Sequence, residues 1–255
     1  MRQSEQLLYL PLIALVATVL PACAKNRISE ATLKIGMVEI LPGVFVDRAA
    51  GVVVFEGVVP IQARDPEDGS LWSPVIVEAV VCAPDSKEHE SLVLAEVLPS
   101  HVHAAMLMIG LEPGSPGGWS FESEQLVPYP ATGADIALRI EYEDGAGVVV
   151  AVDPAQWVLR ALDDVPLANT VGSWTFAGSW EMNTLAPRSA TRYAADAEGA
   201  IISFVCFGSE TIAWSTTLSP DSTVGSVWIA DPYSVPPMGT RVRVVISLKE
   251  GTIDD

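Results

Sequence analysis

The stretch at 136–152 reads IALRIEYEDGAGVVVAV and determines the fold class that the chain should adopt. Apolar and polar residues alternate over 136–142, which is the two-residue period of a half-buried strand. The residues EDG at 143–145 supply turn chemistry, and a Val-rich run follows at 148–152. This pattern predicts a β-hairpin.

The same kind of short apolar run recurs along most of the chain. Phe45 and Val46 are separated from a Val-rich run at 52–54 by a short turn, which predicts a second hairpin. The remaining strand-like runs lie at 32–41, 74–83, 91–97, 173–178, 200–207, 224–230 and 240–248.

Two short helices are predicted between these strands, at about 100–110 and 154–163. Ser100 is a favourable N-cap for the first helix. Apolar residues lie on several of its faces, which predicts that it is buried on most sides. Asp153 followed by Pro154 is typical of the start of the second helix. Together these patterns predict a β-rich α+β fold with mixed or antiparallel sheets.

The N-terminus has the pattern of an export signal. Arg2 precedes an uncharged stretch at 7–22, which is shorter than the about 20 apolar residues of a transmembrane helix. The stretch ends in Leu20-Pro21-Ala22-Cys23, which resembles the lipobox of bacterial lipoproteins. The resemblance implies cleavage before Cys23 and attachment of lipid to its sulfur. Ordinary signal cleavage after Ala24, which gives a soluble secreted protein, is the alternative.

These features predict a signal peptide at 1–22, a lipid anchor with a polar tether at 23–31, and one globular domain at 32–250. Two packed halves that meet near 112–132 are the alternative, because that region begins with a Pro- and Gly-rich loop. Removal of the signal takes away one base and one acid and leaves the net charge at −18. Such a charge repels phosphate backbones and anionic lipids. We therefore expect no nucleic-acid partner, and membrane contact only through the anchor.

Two cysteines, Cys82 and Cys206, remain once Cys23 is lipidated. Both lie in apolar, strand-like runs, so they are either two buried thiols or one disulfide in an oxidising compartment. Pairing requires Cα atoms within about 7 Å of each other, and the sequence leaves this open.

The most specific segments of the chain are CAPDSKEHESL at 82–92, PSHVHAA at 99–105 and GLEPG at 110–114. These segments resemble the YdjY-domain proteins of bacteria, and the resemblance covers most of 43–249. It implies one exported domain and marks the KEHES residues at 87–91 as the hallmark of the family. Such domains have no established activity, ligand or cofactor, so the resemblance transfers no catalytic residue.

All three histidines, His89, His101 and His103, follow closely after Cys82. Imidazole and thiolate groups are donors that zinc and copper prefer. The four side chains could approach one another if the predicted helix at 100–110 folds back on the strand at 74–83. Against a metal site, His101 and His103 are two residues apart and do not share a helix face. Polar residues are also common in a first helical turn.

A Cys82 nucleophile with His89 as its base is a further hypothesis, which requires the two side chains within hydrogen-bond reach. The apolar neighbours Val80 and Val81 indicate burial of the thiol and weigh against it. The chain also lacks a phosphate-binding Gly loop, a Gly-x-Ser-x-Gly elbow and a His-Glu-x-x-His motif. These missing motifs weigh against an enzyme.

Seven tryptophans are a further source of binding surface. Trp157 lies on the apolar stripe of the second predicted helix, so we assign it to the core. Trp119 follows Gly117 and Gly118 and is the candidate for an exposed aromatic side chain in a ligand-binding groove.

From these patterns we expect a non-catalytic lipoprotein domain that faces the periplasm and binds or scaffolds another envelope protein or a small ligand. The alternative is a zinc or copper protein of the envelope that uses His89 with His101 or His103, and with Cys82 as a further ligand. No other cofactor is predicted.

Lipid attachment at Cys23 can be tested in cells. Cells that express the chain and are fed a clickable fatty acid should label the wild type, and Cys23→Ser should remove the label. Cys206→Ser serves as the matched cysteine control and should label like the wild type. Equal labelling of the wild type and Cys23→Ser would contradict lipidation at this position.

Overall fold

The computed structural model describes residues 36–65, 67–71, 73–182 and 192–249. The predicted signal peptide, Cys23 and the tether lie outside the described residues. The described residues are 40% strand and 12% helix, which confirms the β-rich α+β fold class. The described residues form one compact unit. In the described part of the chain, no helix is long and apolar enough to cross a membrane.

The described residues contain two α-helices, α1 (Pro99–Met108) and α2 (Ala194–Glu198). Short 3-10 helices occupy Glu88–Glu90, Pro154–Trp157 and Leu167–Asn169. The strands of the described ranges are β1 (Val38–Leu41), β2 (Val44–Asp47), β3 (Val52–Val58), β4 (Ala79–Cys82), β5 (Ser91–Leu94), β6 (Pro113–Ser115), β7 (Gly118–Glu122), β8 (Gln125–Tyr129), β9 (Thr132–Gly133), β10 (Ile136–Glu143), β11 (Val149–Val152), β12 (Val158–Arg160), β13 (Trp174–Thr175), β14 (Glu181–Met182), β15 (Arg192–Tyr193), β16 (Ala200–Ser203), β17 (Ile212–Trp214), β18 (Trp228–Ala230) and β19 (Arg241–Leu248).

One eleven-stranded sheet organises the described residues. Nine of its strands follow one another in the order β11-β10-β19-β3-β5-β4-β16-β17-β13. The other two strands lie off this path. β2 pairs with β3, and β1 pairs with β2. The remaining strands form two-stranded sheets: β12 with β18, β14 with β15, β6 with β9, and β7 with β8.

Both predicted hairpins are confirmed. In the first, β10 and β11 pair antiparallel, with Tyr142 opposite Val150. In the second, β2 and β3 pair antiparallel, with Val46 opposite Val53. Alternate residues of β10 are buried, which is the burial pattern that the sequence period predicts.

Two pairs of neighbouring strands in the large sheet run parallel: β4 with β5, and β16 with β17. Every residue of β4 and β16 is buried. This agrees with their continuous apolar sequences, because central strands covered on both faces need no polar alternation.

The first predicted helix is confirmed as α1, with two differences. Leu98, rather than Ser100, occupies the N-cap, and Pro99 follows at the first helical position. Leu107 and Met108 are exposed, so the expectation of burial on most sides is wrong. Val102, Ala105 and Met106 form the buried face.

The second predicted helix starts as expected but ends after one turn. The Asp153 side chain accepts a hydrogen bond from the Ala155 N–H, and Pro154 occupies the first turn. The chain then continues as strand β12, in which Val158 pairs with Ala230 of β18. Tertiary strand pairing therefore overrides the helical pattern beyond Trp157. The second α-helix is α2, where the sequence predicts none.

The core gathers large apolar side chains from the strands and from the segments that flank them. Trp157 is fully buried, as predicted, and so are Phe55, Phe176 and Phe204. Gly57 marks a close approach in this core, because a Cβ atom there would lie 2.4 Å from Cγ1 of Val93.

Cys82 and Cys206 are free thiols in the structure. Cys82 ends β4, whereas Cys206 follows Val205, whose N–H donates to the Glu78 carbonyl at 3.2 Å. Cys82 follows Glu78 by four residue steps of extended chain, which places their Cα atoms about 13 Å apart. The two cysteines are therefore too far apart for a disulfide.

Substitution of Ile140 in β10 tests whether this side chain belongs to the core. Ile140→Ala should reduce the free energy of unfolding by about 2–5 kcal/mol, because the side chain is fully buried and its removal leaves a cavity. Val149→Ala in the exposed edge strand β11 is the matched control and should change it by about 0.5 kcal/mol or less. Urea unfolding followed by tryptophan fluorescence measures both, and equal effects would contradict the register.

Candidate functional site

An open pocket of about 650 Å³ lies at the start of α1. The loop after β4, the connection from β5 to α1, and helix α2 contribute to its lining. Its polar lining residues are Asp85, Ser86, Glu96, His101, Arg192 and Asp196.

The parallel pairing of β4 with β5 explains the position of this pocket. Cys82 lies opposite Leu94 at the carboxyl ends of the two strands. The Ala95 N–H donates to the Cys82 carbonyl at 3.0 Å. Both chains therefore leave the sheet at the same edge, and crevices outside the carboxyl ends of parallel strands are common ligand sites.

Local hydrogen bonds give the loop after β4 a defined shape. The Asp85 N–H donates to Oε1 of Glu88 at 2.5 Å, and the Ser86 hydroxyl donates to the Ala83 carbonyl at 2.5 Å. Asp85 has a φ of 59°, a left-handed conformation that aspartate tolerates better than most residues. The loop is therefore held by its own side chains.

Gly199, which ends α2, allows the helix to approach this loop. Its φ is 73°, and a Cβ atom there would lie 2.4 Å from both Cβ and Oγ of Ser86. A larger residue would therefore strain the backbone and push the two walls of the pocket apart.

Asp196 of α2 joins the two helices. Its Oδ1 accepts from the Ser100 N–H at 2.8 Å and its Oδ2 accepts from the Ser100 hydroxyl at 2.7 Å. A carboxylate at a helix N-terminus satisfies a free N–H group and interacts favourably with the helix dipole. The cap of α1 thus comes from a residue far away in sequence.

Of the three histidines, His101 is the one that lines the pocket. Its Nδ1 atom is buried and has no hydrogen-bond partner within the described ranges. An unpaired buried polar atom costs about 1–3 kcal/mol. His101 thus contributes to the pocket lining, while its Nδ1 is enclosed by protein.

His103 is held in a hydrogen-bonded chain away from the pocket lining. Its Nδ1 lies 2.9 Å from the Tyr193 hydroxyl, which also bonds the Gly178 carbonyl at 3.0 Å and Oγ1 of Thr211 at 3.1 Å. The imidazole ring packs edge-on against Phe176, with 4.9 Å between centroids. Burial lowers the pKa of His103 and raises the pKa of Tyr193 to about 12. Both groups are therefore neutral near pH 7 and link α1 to its neighbours.

The predicted metal ligands do not converge. Cys82 is buried, and burial raises the pKa of its thiol, with the hydroxyls of Ser91 and Ser86 beside it. The His89 side chain is 77% exposed, and its Nε2 lies 3.4 Å from Oε1 of Glu90. Among the described residues, no three His, Cys, Asp or Glu side chains are grouped so that they could hold a metal. The zinc or copper hypothesis therefore gains no support.

The hypothesis of a Cys82 nucleophile with a His89 base gains none either. A buried thiol with a raised pKa is a poor nucleophile. The His89 imidazole points instead to solvent beside Glu90.

The hallmark segment 87–91 ties its turn to neighbouring parts of the chain. Lys87 Nζ lies 3.8 Å from Oε2 of Glu78 and 3.1 Å from the centroid of the Phe207 ring. Burial raises the pKa of the Glu78 carboxyl, and the negative charge of Glu90 beside it acts in the same direction. The Ser91 hydroxyl donates to the Lys87 carbonyl at 2.7 Å. These contacts give the segment a structural role.

Glu210 is a fully buried carboxyl group in the connection between β16 and β17. Its Oε1 accepts from the N–H groups of Phe207 and Gly208, the latter at 3.0 Å. Its Oε2 and the Ser203 hydroxyl have no partner within the described part of the chain. Burial raises the pKa of Glu210. The carboxyl group organises the turn that allows β16 and β17 to run parallel without a crossover helix.

Sequence reasoning missed Arg192, Tyr193, Asp196 and Glu210. Asp196 contacts Ser100 and Tyr193 contacts His103 across about ninety residues of chain, and no local pattern reveals such pairs. Glu210 had a local signal, because it is an acid beside an apolar strand-like run at 200–207.

A second candidate surface is the hairpin formed by β7 and β8. Trp119 lies opposite Pro128, and Phe121 lies opposite Leu126. Because side chains alternate between the two faces of a strand, these four share one face. Phe121 is 73% exposed, Leu126 is 65% exposed and Trp119 is 37% exposed. Trp119 is thus exposed and belongs to a larger apolar surface, which we call the hairpin face.

The base of the hairpin is fixed to the rest of the domain. Oγ1 of Thr217 donates to the Tyr129 carbonyl at 2.5 Å, and the Ala131 N–H donates to the Ser215 carbonyl at 3.1 Å. The Tyr129 ring covers Gly118, where a Cβ atom would lie 2.2 Å from the phenol oxygen. The hairpin face is therefore held in one orientation at its base.

The family of the chain follows from comparison with protein-family models. The model of the YdjY domain matches residues 44–247, a span that runs from β2 to β19 and includes both the pocket and the hairpin face. Searches among curated proteins and among solved structures found no match. Because the model covers far more than half of the 255 residues, the chain belongs to the YdjY-domain family.

Proposed function

We propose that this chain is a non-catalytic lipoprotein domain, anchored through Cys23 and facing the periplasm, that binds another envelope protein through the hairpin face. The exposed apolar surface of β7 and β8 carries the proposal. Contiguous exposed apolar patches of more than a few hundred Å² are uncommon on soluble proteins and often mark binding sites. The hairpin face groups Trp119, Phe121 and Leu126, and its base is fixed to the domain, so these side chains stay presented to solvent.

The charges around the hairpin face indicate the chemistry of the partner. Glu122 and Glu124 at the tip are exposed, and no lysine, arginine or histidine occurs between His103 and Arg139. An apolar cleft bordered by lysine or arginine would complement both features. An anionic lipid surface would be repelled by the same acids. A second copy of the chain would be repelled as well, because each copy carries a net charge of −18.

The non-catalytic part of the proposal rests on what the titratable side chains do. Tyr193 and His103 are hydrogen-bonded to each other inside the domain, and the Cys82 thiol is buried. Asp196 caps a helix. Each of these candidates for catalysis is already committed to holding the fold.

Photo-cross-linking in cells that express the full chain tests the proposal. A benzophenone amino acid at position 121 should give one discrete adduct with another protein. The same probe at Leu162, which is also exposed and lies outside the hairpin, should not give it. Glu122→Lys together with Glu124→Lys should reduce the adduct at position 121 by about tenfold, because these changes reverse the local charge. Glu67→Lys together with Glu143→Lys, at exposed positions outside the hairpin, changes the net charge equally and is the control.

Three outcomes would contradict the proposal. The first is an adduct of the same yield at both probe positions, which indicates non-specific contact. The second is an adduct with the mass of two copies of the chain. The third is an adduct that does not respond to the charge reversal at the tip, which removes the argument for a basic partner.

A further inference from the structure

We propose that the pocket at the start of α1 binds a small zwitterionic amine in which ammonium groups outnumber carboxylates, such as a basic amino acid. The proposal concerns a surface separate from the hairpin face and does not depend on it. It follows from the charges that line the pocket, from the volume of the pocket, and from walls that are already fixed.

The size and position of the pocket suit a small molecule. Its volume of about 650 Å³ lies within the range of about 300–1,000 Å³ that is usual for small-ligand sites. It opens beyond the carboxyl ends of β4 and β5 and beside the first turn of α1. Segments distant in sequence thus bring polar groups to one place.

The pocket lining contains more acidic than guanidinium side chains. The acids are Asp85, Glu96 and Asp196, and the guanidinium is that of Arg192. Asp196 already accepts two hydrogen bonds from Ser100, so its charge is partly satisfied. Asp85 and Glu96 are exposed at the rim, where they are suited to bind ammonium groups.

Arg192 provides a group that can recognise a carboxylate on the ligand. Its side chain is exposed and lines the same pocket, and a guanidinium matches the planar geometry of a carboxylate. An amine that also carries one carboxylate would use both kinds of group. A purely anionic ligand is disfavoured, because Asp196 already occupies the N-terminus of α1 and two further acids surround the opening.

His101 also lines the pocket. Its Nδ1 is enclosed by protein and has no hydrogen-bond partner among the described residues. The imidazole therefore contributes to the wall of the pocket, and recognition of the ligand rests on the charged side chains.

The walls of the pocket need little rearrangement on binding. Glu88 holds Asp85 through its N–H group, Asp196 holds the start of α1, and Gly199 seats α2 against Ser86. A site that exists before the ligand arrives avoids much of the cost of ordering side chains and loops.

Isothermal titration of the purified full chain in detergent tests the proposal, with L-lysine as the probe. L-lysine should bind, and Asp85→Asn with Glu96→Gln should weaken it at least about tenfold, because charge-assisted hydrogen bonds are lost. Glu67→Gln with Glu143→Gln, two exposed acids outside both surfaces, is the matched control and should leave the affinity unchanged.

Two related compounds separate the roles of the charges. Arg192→Gln should weaken L-lysine but not 1,5-diaminopentane, which lacks the carboxylate, and Arg48→Gln is the control for removal of an exposed arginine. Glutarate should bind more weakly than L-lysine. Four results would each overturn the proposal. The wild type does not bind L-lysine, or the double variant at Asp85 and Glu96 binds it with unchanged affinity. Alternatively, Arg192→Gln binds L-lysine normally, or glutarate binds more tightly than L-lysine. Circular dichroism spectra of the variants establish that they are folded.

Discussion

The parallel pairing of β4 with β5 is the constraint on which the pocket and its surroundings depend. Parallel neighbours need a crossover connection, and here that connection is short and contains the 3-10 helix Glu88–Glu90. The turn must therefore be held by its own hydrogen bonds and by the ion pair of Lys87 with Glu78. The residues of segment 87–91 accordingly close this crossover, and the pocket forms where the two strands end.

The polar residues inside the domain serve mainly to connect elements that are distant along the chain. Asp196 caps α1, and Tyr193 joins α1 to the segment at Gly178 through His103. Glu210 satisfies backbone N–H groups in the turn between β16 and β17. Buried polar groups are costly unless they are paired, so each such contact fixes one arrangement of the elements. A histidine or a carboxylate in this fold is therefore weak support for catalysis.

The sequence predicts features that depend on neighbouring residues and fails where distant contacts decide. The hairpin of β10 and β11 follows from a two-residue period and an Asp-Gly turn, both of which are local. The segment after Trp157 has a helical pattern, yet it forms β12 because β18, about seventy residues later, supplies a partner strand. The sequence predicts Ser100 as the cap of its own helix, whereas the carboxylate of Asp196 accepts hydrogen bonds from Ser100. The pocket could not be predicted for the same reason, because its walls meet only through tertiary contacts.

The proposed anchor and the proposed hairpin contact reinforce each other. The hairpin face offers a few large apolar side chains, chiefly Phe121, Leu126 and Trp119, which is less than the about 800 Å² per partner of a typical stable complex. Alone, such a surface would bind weakly. A lipid at Cys23 would confine the domain near other envelope proteins, and confinement raises the effective concentration of a weak partner without any new contact. On this proposal a small, firmly held hairpin would be sufficient, because the tether would supply proximity and the hairpin specificity.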